Sequence, residues 1–175
     1  HEINVPDETI RETIRLAKRY IKDRRLPDAA IDLADRSMAA LRMINDTAEP
    51  ALKQFREQYD LWDNEESASR TLEDWQWLSM QIKNTSGPIL WSYFESEEDP
   101  NIMNQAAHVK KYISDALAAL DNAALTKHSI IEKGDVAAIV SHKTGIPIGK
   151  VQTQERERLL GMEAMMKKRV IGQDH

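Results

Sequence analysis

Cysteine is absent from the 175 residues, which excludes disulfides and thiolate chemistry and suits a cytoplasmic protein. Glycine and proline are sparse, at six each. With Ala, Leu, Glu, Lys and Arg abundant, that composition favours helix over sheet. No apolar run approaches the roughly 20 residues that a membrane-spanning helix needs, and Glu2 and Asp7 leave no place for the apolar stretch of a signal peptide. An excess of cations is missing as well. The 24 Lys and Arg are scattered among 29 Asp and Glu, for a net charge of -5, so nucleic acid meets no concentrated basic field. Chemistry-bearing patterns are equally scarce. The five histidines (His1, His108, His128, His142, His175) never fall four residues apart on one helix, so a metal site would need tertiary convergence. Neither a Gly-x-Ser-x-Gly elbow nor a G-x-x-x-x-G-K-[ST] phosphate loop occurs, and no apolar run ends in Asp-Glu. What remains is a chain 41% apolar, enough for a buried core and for a mostly helical fold.

The apolar spacing divides the chain. Val5-Pro6-Asp7 suits a helix start, and Ile10, Ile14, Ala17 and Ile21 follow at spacings of four, three and four, which predicts one amphipathic helix ending near Asp23. A second helix opens at Pro27 and carries Ile31, Ala34, Met38 and Leu41 along one stripe. From about Asp46 to Leu125 the stripes become heptad-like. Leu52, Phe55, Tyr59 and Trp62 form one, and Leu72, Trp75, Leu78 and Ile82 a second that Thr71 and Asp74 cap and Gly87-Pro88 stops. Asp99-Pro100 reads as the start of a last helix with Ile102, Ala106, Val109, Ile113, Ala116 and Leu120. Together these predict an antiparallel coiled coil or bundle. Ser129-Ile130-Ile131 suits one short strand, Gly134-Asp135 caps a helix with Val136, Ile139 and Val140, and Thr144-Gly145 ends it. A final helix is predicted from about Gln152 to Lys168, with Leu159, Met162, Met165 and Met166 on one stripe. The four tryptophans (Trp62, Trp75, Trp77, Trp91) lie within the middle stretch, where an exposed one would mark a contact surface.

Two strings at opposite ends carry more. Arg19-Tyr20-Ile21-Lys22-Asp23-Arg24-Arg25-Leu26-Pro27-Asp28-Ala29-Ala30-Ile31-Asp32-Leu33 stands near the start. Thr144-Gly145-Ile146-Pro147-Ile148, Glu155-Arg156-Glu157-Arg158-Leu159-Leu160 and Arg169-Val170-Ile171-Gly172-Gln173-Asp174 stand near the end. In order and spacing they resemble the Clp family of AAA+ protein-remodelling ATPases, the ClpB and ClpC class. The resemblance covers roughly residues 2 to 44 and 130 to 174. It implies an AAA+ helical lid in two parts, residues 1–45 and 127–150, an inserted helical middle domain at 46–126, and a linker helix with the start of a second ATPase module at 151–175.

The resemblance also implies roles. Ile21, Pro27, Asp28 and Ile31 would line the adenine side of the first ATP site, because a flat apolar base is met by aliphatic side chains and a proline. Val170, Ile171 and Gly172 resemble the strip that backs the adenine of the second. Two positions depart from the family pattern: Ala29 stands where Lys is common, and Lys143 where a Trp is common before the linker Thr. The whole protein would use ATP and magnesium, form a homo-hexamer in the cytoplasm, act on unfolded or aggregated protein, and receive a cochaperone, adaptor or protease. Without a phosphate loop these 175 residues alone would hold no nucleotide and hydrolyse none. A free-standing helical interaction module that binds a partner helix through its apolar seam is the alternative. A secretion-associated Clp ATPase is another branch of the first reading.

Overall fold

The computed structural model describes residues 3–64, 70–94, 96 and 98–152. Five α-helices follow in order: α1 (Asp7–Tyr20), α2 (Asp28–Asn64), α3 (Leu72–Trp91), α4 (Ala106–Ala124) and α5 (Lys133–Thr144), with a 3-10 turn at Pro100–Ile102. The fold is mainly α, as the composition predicts. The predicted helix from Gln152 lies outside the described residues but for its first residue, as do Val170, Ile171 and Gly172.

The long helix α2 organises the rest. It packs against α1, α3, α4 and α5. It runs for 37 residues without a break, through Pro50 and across the change of pattern at Asp46. Along its core face lie Leu33, Leu41, Ile44, Ala48 and Leu52, so one apolar stripe serves both halves. Buried side chains of all five helices belong to a single hydrophobic cluster. Within it, α5 is enclosed on every side: Asp135 through Val140 are all buried, because α1, α2 and α3 all pack against this short helix.

In α3 and α4 most of the predicted stripe is buried. Trp75, Leu78 and Ile82 of α3 and Val109, Ile113, Ala116 and Leu120 of α4 are buried. Thr71 and Asp74 form a reciprocal capping box, the Asp74 amide donating to the Thr71 hydroxyl at 3.2 Å and the Thr71 amide to the Asp74 carboxylate at 2.8 Å. Those bonds hold the exposed Asp74 carboxyl below its ordinary value.

Elsewhere the local readings need correction. On α1 the buried face is Thr9, Thr13, Leu16 and Ala17, whereas Ile10 and Ile14 are exposed. Both threonines are satisfied by hydrogen bonds, from Thr9 Oγ1 to the Ile131 carbonyl at 3.1 Å and from Thr13 Oγ1 to the Thr9 carbonyl at 2.7 Å, so their burial leaves no unpaired hydroxyl. Gly87, at φ 70°, interrupts α3 without ending it; Pro88 starts a new turn that reaches Trp91, since its missing N–H costs nothing there. Asp99 caps only the turn at Pro100–Ile102, accepting from the Asn101 amide at 2.9 Å. Extended backbone at Met103 then separates that turn from α4, which leaves Ile102 76% exposed. The strand at 129–131 is a single parallel bridge between Asn4 and Ile130.

Asn45 fixes the return of the chain to α2. Its amide nitrogen donates to the His128 carbonyl at 2.8 Å and its oxygen accepts the His128 amide at 2.9 Å, 83 residues away. Replacing Asn45 with Ala leaves both backbone groups unpaired, and we expect a loss of about 2 kcal/mol in denaturant unfolding. A loss below a few tenths would mean that water replaces the clamp.

Candidate nucleotide-facing surface of the lid

The predicted site residues fall on the short connection between α1 and α2 and on the first turn of α2. Ile21 ends α1 in extended backbone, and its amide donates to the Ala17 carbonyl at 3.0 Å. Its side chain is 4% exposed and belongs to the core. The Leu26–Pro27 peptide is cis. The Pro27 carbonyl then accepts from the amides of Ala30 at 2.9 Å and Ile31 at 3.1 Å, which seats the proline at the head of α2 with Asp28 beside it in the acidic first turn.

Helical spacing decides which side chains face out. Ala29, Ala30 and Leu33 point into the core, so Asp28 and Ile31 are left on the outside, Ile31 63% exposed, with Leu26 and Pro27 next to them. The structure therefore places Pro27, Asp28 and Ile31 at the surface and Ile21 beneath it. Ala29, where the family commonly has Lys, is 1% exposed; a lysine here would have to leave the core to carry its charge outward.

Ion pairs brace the connection. Lys143 at the end of α5 donates to the Asp23 carboxylate at 3.2 Å, and that bond is the main reason the fully exposed Asp23 carboxyl titrates below its ordinary value. Asp32 accepts from Arg36 at 3.0 Å and pairs with Arg24 at 3.5 Å. The Lys143–Asp23 contact, spanning 120 residues, had no signal in the sequence. In the sequence Lys143 stands out only as a departure from a family tryptophan.

Chemically, Leu26, Pro27 and Ile31 offer an apolar surface with one carboxylate at its rim. Such a surface fits a flat apolar ring, and the exposed cations Lys22, Arg24 and Arg25 lie on the same connection. Among the described residues no three His, Asp or Glu side chains converge into a metal-binding group, and no helix is long and apolar enough to cross a membrane.

Known proteins resemble this chain. Residues 1–85 match the family model of the AAA lid domain. The ATP-dependent Clp protease ATP-binding subunit ClpC of Staphylococcus epidermidis is 29% identical over 174 residues, covering 99% of this chain and 19% of that protein. The subunit of the same name from Staphylococcus aureus strain USA300 is 29% identical over 173 residues, with the same coverage. The chain is thus similar to ClpC subunits along almost its whole length and to the AAA lid domain in its first part, and it spans about a fifth of the length of the curated relatives it matches.

Proposed function

We propose that these residues are the first lid and the middle arm of an ATP-driven Clp-type protein unfoldase or disaggregase. The observation that carries this reading is the alignment with ClpC subunits along 99% of the chain, which runs through lid, insertion and the residues beyond α5. On this reading, residues 1–45 and 127–150 form the lid, 46–126 the arm, and 151–175 the link to a second ATPase module. Pro27 and Ile31 meet the adenine, Asp28 lies at its edge, and Ile21 supports them from below. Val170, Ile171 and Gly172 take the same part at the second site. The triphosphate and magnesium are held by segments outside these 175 residues, so the lid contributes base recognition and converts its own rotation into movement of the arm. Continuity of α2 supports that coupling, because one rigid helix belongs to both halves.

The whole protein works as a cytoplasmic hexamer on unfolded or aggregated protein, with an adaptor, cochaperone or protease as its partner; the name of the ClpC relatives favours the protease-associated branch. Calorimetry of the 175-residue chain with ATP and magnesium tests the division of labour. We expect no binding at micromolar nucleotide, since stacking on aliphatic side chains is weak without phosphate contacts. Micromolar affinity would mean that the phosphate site lies within this chain.

A further inference from the structure

We propose that the outer face of α3 is a docking surface for a basic, apolar-anchored segment of a partner protein, received on Trp77 and Met80 beside the Pro100–Ile102 turn. This rests on the reading of 46–126 as an arm and names the chemistry of its partner. The helix carries large apolar side chains on both sides. Trp75, Leu78 and Ile82 face the core, yet Trp77 and Met80, one turn apart on the opposite side, are 48% and 44% exposed. A helix face of this kind, with a large aromatic in water, is ordinarily covered. The Pro100–Ile102 turn enlarges the surface. Gln76 Nε2 donates to the carbonyls of Pro100 at 2.9 Å and of Asn101 and Met103 at 3.3 Å, which fastens the turn and its exposed Ile102 against α3.

Charge identifies the occupant. Residues 71–105 contain six carboxylates and a single lysine, Lys83, a net charge that equals the -5 of the whole chain; the remaining residues balance. That lysine is engaged over the Trp91 ring at 5.7 Å. Glu73, one turn before Trp77, and Glu98 and Asp99, just before the turn, are exposed. The field of the last two extends inward: burial first, then Asp99 and Glu98, push the Tyr112 phenol up to about 12. Such a surface repels a second copy of itself and an anionic lipid face, and it attracts lysine and arginine flanking an apolar anchor.

Fluorescence anisotropy with a labelled leucine–lysine amphipathic peptide, and its leucine–glutamate counterpart as control, tests the proposal on the 175-residue chain. The basic peptide should bind and the acidic one should not. Trp77→Ala should weaken binding about tenfold or more, as expected for a central aromatic anchor. Glu98→Lys should weaken it further, and salt near 0.5 M should do the same. Met80→Gln supplies a second reading of the anchor should Trp77→Ala alter the thermal transition. Equal binding of both peptides, binding unchanged in Trp77→Ala and Met80→Gln, or no binding overturns the proposal. Self-association of the chain that Trp77→Ala abolishes overturns it in favour of a second copy. None of these readouts needs nucleotide or a ring, so a failure here leaves the ATPase reading untouched, and a failure of that reading leaves the peptide result standing.

Discussion

Changing Ile113 to Asp is expected to cost on the order of 4 kcal/mol or more, a large part of the roughly 5 to 15 kcal/mol that stabilises an ordinary domain. Ile113 is 0% exposed on α4, the helix that packs against both α2 and α3. A carboxylate there loses its water and gains no partner, because the site lies within the shared hydrophobic cluster. The side chain must either be protonated at neutral pH or force the bundle open. Urea unfolding should show the lowered midpoint, and the loss should shrink as pH falls toward the ordinary carboxylate range, where a protonated acid is cheaper to bury. A change below 1 kcal/mol would mean that α4 is not held in the cluster.

Trp75→Ala should be nearly as damaging, at about 3 to 5 kcal/mol. Trp75 is 1% exposed, and its ring meets Tyr59 and Trp62 edge-on, with centroids 5.5 and 5.6 Å apart. The Lys110 ammonium of α4 lies 4.8 Å from the ring centroid while it pairs with Asp63 of α2 at 2.8 Å. One side chain thus joins α2, α3 and α4, and truncation removes edge-to-face contacts and a cation–π contact along with the buried area. Near-ultraviolet circular dichroism should lose the coupled aromatic signal together with the drop in unfolding midpoint. Retention of both would show that the cluster repacks without its centre.

A smaller effect is expected at Asp135, whose carboxyl is raised above 3.8, chiefly by burial, while the Glu132 amide that it accepts at 2.8 Å opposes the shift. A raised folded value means that protonation favours the native state: the contribution is greatest below the unfolded value and is lost as pH rises through the folded one. Asp135→Asn keeps an acceptor for the Glu132 amide and removes the titration. The variant should therefore lack that decline in stability just above the ordinary carboxylate range. A profile identical to the parent's would show that Asp135 does not titrate differently on folding.

Periodicity was a good guide where a helix buries one continuous apolar stripe, as at Trp75, Leu78 and Ile82 or at Val109, Ile113, Ala116 and Leu120. It failed on α1, where threonines hydrogen-bonded to carbonyls hold the inner face and isoleucines the outer. Hydropathy ranks Ile above Thr, and only the tertiary partner, the Ile131 carbonyl 122 residues away, reverses the order. Proline signals were ambiguous for a related reason: Pro50 lies inside α2 and Pro88 restarts α3, while Pro100 heads a single turn. At the candidate site the Leu-Pro-Asp string marked the head of α2, but nothing local could show that Ile21 is enclosed while Ile31 stands in solvent. That difference depends on how α2 lies over α1 and α5. The Asn45–His128 clamp and the Lys143–Asp23 pair, both long-range and polar, left no pattern to read.

Ile31 is exposed, contributes little to the core, and is the residue proposed to meet the adenine. The decisive measurement is the KM for ATP of the whole protein that carries this chain, compared with its Ile31→Glu variant. Glutamate suits the first turn of α2, so thermal stability should not change. A carboxylate set against the base should raise KM about tenfold, the equivalent of about 1.4 kcal/mol of lost binding. An unchanged KM in a normally folded variant would contradict the assignment of this surface to the nucleotide.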